Sequence, residues 1–133
     1  MKYIIKPYKG VNEYQFGCLL EDILSKIKSN FKRVDNNGLT KLYLDNLSLV
    51  FKDNKLVEIS VIENKDVELY YDEYDLFSYS NIIDKLNESH SCIHKYGFTI
   101  FDSIGVAFNG FQEDEGDRTV TVYSPHYWDE IVN

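Results

Sequence analysis

Proline and glycine are scarce in this 133-residue sequence, with two and seven residues respectively. Long linkers and low-complexity segments are rich in these residues, so the composition argues against both. No apolar run approaches the ~18 residues that a membrane-spanning helix requires. The apolar part of the opening MKYIIKPYKG is also too short for a signal peptide. We therefore expect one domain over residues 1–133, located in the cytoplasm.

Cysteine is just as rare. Cys18 and Cys92 are far apart in the sequence and do not have the spacing of metal ligands. Without an export signal we expect both to be reduced thiols. The sequence also lacks a glycine-rich phosphate loop, a nucleophile elbow and the motifs of protein kinases. These absences predict a protein that is not an enzyme and binds no cofactor.

Basic residues are outnumbered, with 14 lysines and arginines against 22 acidic residues and a net charge of −8. Phosphate recognition needs a basic surface, so the balance argues against nucleic acid and against an anionic membrane. It favours a basic protein partner, because complementary fields speed encounter. Solubility alone is the other explanation of the charge.

Alternating apolar residues predict three short strands between residues 41 and 63. Asp45-Asn46 and Asp53-Asn54 separate the runs, where tight hairpins favour residues that tolerate positive φ. The apolar residues spaced to share one face are Leu42, Leu44, Leu47, Leu49, Phe51, Val57, Ile59 and Val61. Similar patterns predict further strands over residues 2–6, 67–76, 97–102, 104–109 and 118–123.

Apolar steps of three and four predict an amphipathic helix from Cys18 to Arg33. Its acidic residues come early and its basic residues late, which suits the helix dipole. A shorter helix is predicted around residues 82–86, with Ser78 or Ser80 as its cap.

The two halves of the sequence resemble each other. Residues 42–51 match residues 99–108 at a constant offset, including Asp45 with Asp102 and Phe51 with Phe108. We interpret this as a tandem duplication over about residues 14–63 and 76–123. The predicted fold is α+β: two α-β-β-β units sharing one curved antiparallel sheet, with two helices packed on one face. The other face is expected to be wet, with Tyr43, Ser48, Lys55, Glu58, Ser60, Thr119, Thr121 and Tyr123.

An acidic-aromatic stretch lies between the halves and is the first predicted contact region. Tyrosine beside acid provides rigid amphipathic area and charge, as in interface hot spots. An edge strand protected from aggregation by its charges would have the same composition. The predicted partner-binding residues here are Glu68, Tyr70, Tyr71, Asp72, Glu73, Tyr74 and Asp75.

An acidic link near the C-terminus is the second predicted contact region. Glu113, Asp114, Glu115 and Asp117 lie in a segment expected to join two strands as a hairpin loop. The carboxylates lack the regular alternation of a calcium loop, although ion binding is an alternative. A purely solvated hairpin tip is the simplest interpretation.

One cluster suggests metal chemistry. His90, Cys92 and His94 alternate, and in a strand they would share one side, as a soft metal site requires. The sequence offers no fourth ligand nearby, and no third group that would orient a Cys–His nucleophile pair. We therefore predict no metal site. Trp128, the only tryptophan, is expected to pack at the edge of the core.

Two stretches resemble a known group of proteins. The opening KPYKGVNEYQFG followed by a helix, and the later DSIGVAFNG…TVTVY, are similar to small immunity proteins of bacterial polymorphic toxin systems, including contact-dependent growth inhibition. The tandem layout resembles β-lactamase inhibitor proteins. Where that group has Met-Thr after Phe-Gly, this sequence has Cys18-Leu19.

This resemblance implies a cytoplasmic protein that binds and neutralises the C-terminal domain of a cognate toxin. It implies no catalytic residues, and inhibition by covering a basic active site such as that of a nuclease. The alternative is an adaptor, or an inhibitor of a host enzyme, that is unrelated to toxins. Neither interpretation indicates the toxin's activity or the oligomeric state.

Overall fold

The computed structural model describes residues 1–111 and 117–133, which form two β-sheets and three short helices. The helices are α1 Leu20–Lys26, α2 Ile82–Asn87 and α3 Asp129–Val132. The strands are β1 Lys2–Lys6, β2 Gly10–Val11, β3 Tyr14–Gln15, β4 Lys32–Asn36, β5 Leu39–Tyr43, β6 Leu47–Lys52, β7 Lys55–Ile62, β8 Glu68–Tyr71, β9 Tyr74–Asp75, β10 Ile93–Lys95, β11 Phe98–Phe101, β12 Val106–Asn109 and β13 Thr119–Tyr123. The predicted α+β class is confirmed, with strands predominating.

The larger sheet has eight antiparallel strands in the order β10-β11-β12-β13-β7-β6-β5-β4. Each half of the chain supplies a four-stranded meander that follows one helix. The two meanders meet where β7 pairs with β13, for example at Val61 and Val120. The three strands predicted between residues 41 and 63 are confirmed as β5, β6 and β7.

The smaller sheet has five strands in the order β3-β2-β1-β8-β9, with β1 and β8 parallel. The sequence predicted a single sheet, and the second sheet is a difference from that prediction. Tyr3, Ile5 and Leu69 alternate with exposed residues along β1 and β8, so one face of this sheet is buried. A strand pattern reveals such a face but not which sheet contains the strand.

A single apolar cluster joins the two sheets and the first two helices. Ile23 of α1 and Leu86 of α2 belong to it, together with Phe51 and Phe108 from the two meanders. These side chains are at most 5% exposed. Both predicted helices therefore contribute to the same core as the eight-stranded sheet.

The first helix is shorter than predicted. It ends at Lys26, and Ile27 already has an extended backbone. Residues 32–36, predicted as helix up to Arg33, instead form β4. The turn Asn37-Gly38, with φ of 51° and 80°, folds β4 back on β5, and the pairing with that strand overrides the helical periodicity.

The face expected to be wet is partly covered. Trp128 stacks on Tyr123 with ring centroids 4.8 Å apart, and Tyr123 is only 1% exposed. Ile100, Ala107, Tyr123 and Trp128 form a second apolar cluster on this side. Packing of Trp128 is thus confirmed. Exposure of Tyr123 was wrongly predicted, because the segment after Ser124 folds back over the sheet, and Ser48 and Thr121 on the same face are buried as well.

Candidate functional site

The acidic-aromatic stretch forms a hairpin, β8 and β9, whose side chains divide between two faces. Leu69 is fully buried, and Tyr71 and Tyr74 pack against the core. Glu68 and Tyr70 alternate with these residues and lie on the outer face of the small sheet. The seven predicted residues therefore do not form one surface.

The outer face of this hairpin carries both signs of charge. The Tyr70 hydroxyl donates to Glu68 Oε1 at 2.9 Å, and this hydrogen bond raises the pKa of Tyr70. Lys2 Nζ lies 4.9 Å from the centre of the Tyr70 ring. Lys6 is exposed on β1. A basic partner would meet lysines here as well as Glu68.

The tip of the hairpin presents two neighbouring carboxylates to solvent. Asp72 and Glu73 are exposed between Tyr71 and Tyr74, and Asp72 has a positive φ of 55°. The Tyr71 hydroxyl lies 3.3 Å from His90 Nε2, and the Tyr74 ring meets Tyr79 edge-on at 5.0 Å. Packed tyrosines on both sides hold the backbone of the turn that carries Asp72 and Glu73.

Asp75 has a structural role, because its carboxylate accepts hydrogen bonds from neighbouring parts of the chain. Its Oδ1 accepts the backbone N–H groups of Leu69 and Phe77, each at 3.2 Å. Its Oδ2 accepts the Ser78 hydroxyl at 2.9 Å. The carboxylate thus holds the chain as it leaves β9, and less of its hydrogen-bonding capacity is available to a partner.

Arg118 connects the two regions that the sequence predicted separately. Its Nε donates to Glu63 Oε1 at 2.9 Å, and a second nitrogen donates to Glu63 and to the Phe77 carbonyl. The guanidinium lies 4.7 Å from the Phe111 ring, which stacks on Phe77 at 6.0 Å. We call Glu63, Phe77, Phe111 and Arg118 the aromatic junction.

Electrostatics within the junction favour the ion pair. The hydrogen bonds from Arg118 lower the pKa of the Glu63 carboxyl. The hydrogen bond to Glu63 in turn raises the pKa of the Arg118 guanidinium, and the nearby charge of Asp75 raises it further. Asp117, the residue before Arg118, is exposed. The junction therefore brings the end of the first acidic region next to Asp117 of the second.

A groove of about 740 Å³ opens beside the junction. Phe77, Phe111 and Arg118 line one end, and Tyr79 at its rim is 39% exposed. The remaining lining residues are Ser78, Ser80, Asn81, Ile82, Ile83, Asp84, Asn87, Cys92 and His94. Aromatic rings among polar groups at the edge of a groove suit the binding of protruding side chains from a protein.

The suggested metal cluster does not assemble. His90 Nδ1 lies 3.1 Å from the Ser103 hydroxyl, while His94 Nδ1 lies 3.2 Å from the Thr99 hydroxyl. Cys92 is a free thiol lining the groove. In the ranges 1–111 and 117–133, no three His, Cys, Asp or Glu side chains are placed to hold a metal ion.

Three of the predicted contact residues cannot be placed. Glu113, Asp114 and Glu115 lie outside the described residues. The sequence missed Glu63, Phe77, Phe111 and Arg118 as members of a site. A signal for two of them was present, because Phe77 follows Asp75 by two residues and Phe111 precedes Glu113 by two. Aromatic residues flanking acidic segments mark where those segments are attached to the core.

Comparison with known protein families, with curated proteins and with solved structures finds no match for this chain. Among the helices of the described residues, none is long and apolar enough to cross a membrane. The site must therefore be interpreted from its own geometry and charge.

Proposed function

We propose that this protein is a cytoplasmic immunity protein that binds a cognate bacterial toxin domain and neutralises it. The observation that carries the proposal is the aromatic junction, which joins the acidic hairpin β8-β9 to the segment containing Asp117. Acidic groups beside partly exposed aromatic rings suit a basic protein surface. The net charge of −8 and the sequence resemblance to immunity proteins support the same partner class.

Binding would work by occlusion. Asp72 and Glu73 project from a hairpin whose tyrosines are packed, so little backbone entropy is lost when a partner docks. Carboxylates at this tip can pair with the lysines and arginines that a nuclease uses to hold phosphate. The neighbouring groove, with Tyr79 at its rim, can accept a protruding side chain. A toxin covered in this way cannot admit its substrate.

We also propose that the chain arose by duplication of an α-β-β-β unit, extended in each half by one further strand. Support comes from the equivalent positions of α1 and α2 before their meanders. Leu49 and Phe51 match Val106 and Phe108 at the offset found in the sequence, and all four side chains are buried. β7 and β13, which pair with each other where the two halves meet, would then be equivalent strands of the two units.

The decisive experiment pairs this protein with the C-terminal domain of the protein encoded immediately upstream. We expect nanomolar affinity in calorimetry and rescue of growth when both are expressed together. Tyr79→Ala, at the groove rim, should weaken binding by at least about tenfold, since aromatic anchors carry interface energy. Tyr96→Ala is the matched control, because Tyr96 is 82% exposed and lies away from the groove lining.

Failure of both binding and rescue would overturn the immunity function. Binding in which Tyr79→Ala and Tyr96→Ala behave alike would leave a toxin inhibitor whose contact surface is not the groove. The first result would contradict the proposed function, whereas the second would contradict only the proposed location of the binding surface.

A further inference from the structure

The two edges of the eight-stranded sheet are protected differently. β10, at one edge, is in contact with α3, and Lys95 Nζ donates to the Val132 carbonyl at 3.3 Å. At the other edge every residue of β4 is exposed. No element within the described residues covers β4 on either face. An uncovered edge strand offers unpaired N–H and C=O groups to another strand.

Apolar side chains accompany this open edge. Phe31 is 42% exposed, Val34 41%, Leu39 36% and Tyr43 41%. Phe31 precedes β4, Val34 lies at its centre, and Leu39 and Tyr43 lie on the neighbouring strand β5. Large apolar residues grouped at one margin of a sheet indicate a surface that becomes buried in a complex.

The register of the hairpin shows which backbone groups are free. Asn36 and Leu39 flank a two-residue turn with positive φ, so this pair exchanges both of its hydrogen bonds. Alternation along the ladder makes Val34 with Lys41 the next hydrogen-bonded pair. The N–H and C=O groups of Arg33 and Asp35 must therefore point away from β5, towards the open edge.

The charges on β4 complement a second copy of the same strand. In an antiparallel pair with its two-fold axis at Val34, each Arg33 lies opposite Asp35 of the other copy. Arg33 and Asp35 already lie on one face, with Arg33 Nε 2.9 Å from Asp35 Oδ2 and both side chains about half exposed. Two arginines and two aspartates would then alternate around a square, which is favourable. On the opposite face the two Val34 side chains would meet.

The backbone and the charges select the same register. Because the free groups belong to Arg33 and Asp35, these residues would form the hydrogen-bonded pairs, and Val34 the non-hydrogen-bonded pair between them. We propose that two copies of this chain associate through β4, extending the eight-stranded sheet across a two-fold axis. This association is separate from the proposed toxin-binding groove, which is lined by other residues.

The association should be weak and reversible. Pairing two five-residue strands buries little surface compared with a stable dimer interface. We expect a dissociation constant on the order of 10–100 µM. Sedimentation equilibrium across that concentration range, without any toxin present, should show a rise from monomer to dimer mass.

Charge exchange provides the specific test. Arg33→Asp leaves two acidic residues on the strand, and Asp35→Arg leaves two basic residues. Each variant alone should remain monomeric, because like charges would face each other. An equimolar mixture should regain association, since acid again faces base at both positions. Recovery in the mixture also shows that both variants are folded.

Amide hydrogen exchange gives a second, independent readout on the unaltered protein. Protection of the Arg33 and Asp35 amides should increase with protein concentration, while the Val34 amide should be protected at every concentration. A monomer throughout the range would overturn the proposal. So would association that persists in either single variant, or concentration-dependent protection found elsewhere in place of β4.

Discussion

Arg118 and Arg33 are both paired with a carboxylate, but their surroundings differ. The Arg118 side chain is 27% exposed and also bonds the Phe77 carbonyl, whereas the Arg33 side chain is 43% exposed. Replacing Arg118 by alanine should lower the free energy of unfolding by about 2–3 kcal/mol, because it leaves Glu63 and a carbonyl without their donor. Urea denaturation followed by circular dichroism measures this loss.

Arg33→Ala is the control for that measurement, carried out at a protein concentration well below any self-association. An exposed ion pair stabilises a protein by less than ~1 kcal/mol, so this variant should unfold almost as the parent does. Equal losses for the two variants would mean that the aromatic junction contributes no more than a surface salt bridge.

Glu58 has an unusual position for an acidic residue, beneath Trp128 on the sheet. Trp128 Nε1 donates to Glu58 Oε1 at 2.7 Å, and burial raises the pKa of the carboxyl. The folded protein therefore holds this proton more tightly than the unfolded chain does. Its contribution to stability is greatest below the unfolded pKa of 4.5 and falls as pH rises through the folded pKa.

Glu58→Gln should remove this loss of stability at higher pH, because the amide does not ionise, while it keeps an oxygen that can accept the hydrogen bond from Trp128. At neutral pH the glutamine variant should melt at a higher temperature than the parent, and the difference should vanish towards acid. Melting curves over a pH series measure the difference, with the exposed Glu130→Gln as control. A glutamine variant less stable than the parent at neutral pH would contradict the expected cost of burying the charge.

At the scale of elements, the two Asp-Asn turns look alike in the sequence but differ in conformation. Asp53 and Asn54 have φ of 50° and 65°, whereas Asp45 and Asn46 do not have positive φ. Asn54→Ala should therefore destabilise by about 1 kcal/mol, since alanine is strained in the left-handed region. Asn46→Ala should have a much smaller effect in the same denaturation experiment. A larger loss of stability for Asn46→Ala than for Asn54→Ala would show that side-chain contacts, and not φ, determine the change in the free energy of unfolding.

The segment after β13 is predicted to stabilise the sheet that it covers. Trp128 is 5% exposed, stacks on Tyr123 and meets Phe98 edge-on at 5.3 Å. Trp128→Ala should cost about 3 kcal/mol in the free energy of unfolding, because it removes a large buried ring. Tyr96→Ala, at an 82% exposed aromatic, should cost almost nothing in the same assay. A small loss for both would mean that Trp128 is not part of the stabilising core.

Most of the longer strands could be predicted, because alternation and turn residues are local signals. The stretch predicted as one strand over residues 67–76 is instead a hairpin that turns at Asp72, and β4 and β10 were not predicted. The hairpins of residues 39–62 follow from such signals, as does the short second helix. The end of α1 could not be predicted, since Phe31 continues the helical spacing while pairing with β5 makes the next residues a strand. The five-stranded sheet was not predicted, because β1 and β8 pair in parallel although they are far apart in the sequence.

The candidate site was predictable only in part, for a similar reason. The composition identified both acidic regions but not the residues that join them. Arg118 looked like an ordinary strand residue, although it connects Glu63, Phe77 and Phe111 through contacts distant in sequence. The structural role of Asp75 could not be predicted either, because the sequence does not distinguish a carboxylate that accepts backbone N–H groups from any other acidic residue.

For the molecule as a whole, the negative charge should act mainly on the rate of encounter with the proposed basic toxin. Asp72→Lys combined with Glu73→Lys should lower the association rate by about tenfold at low salt and flatten its dependence on ionic strength. Adding Glu113→Lys and Glu115→Lys should deepen the effect if the second acidic region also contributes. Stopped-flow mixing with the proposed toxin domain measures these rates.

A matched control is reversal of two exposed acidic residues away from the hairpin tip, Asp45 and Asp53. This variant has the same net charge as Asp72→Lys/Glu73→Lys, so it tests whether position or total charge matters. Equal rates for the two would show that only the overall field attracts the partner. Rates unchanged in both would contradict electrostatic steering altogether.

The strand order of the large sheet also determines when it can be completed during synthesis. Along the chain β13 follows all the other described strands of this sheet, yet it lies between β12 and β7 in the middle of the sheet. Until the ribosome has released residues up to Tyr123, β7 presents an open edge in the nascent chain, and the two meanders cannot join. Folding must therefore finish late and pair distant residues, which makes it slow compared with local hairpin formation. A ribosome stalled before β13 would hold a chain in which β7 and β12 both have open edges, so chaperone binding should concentrate on these two strands.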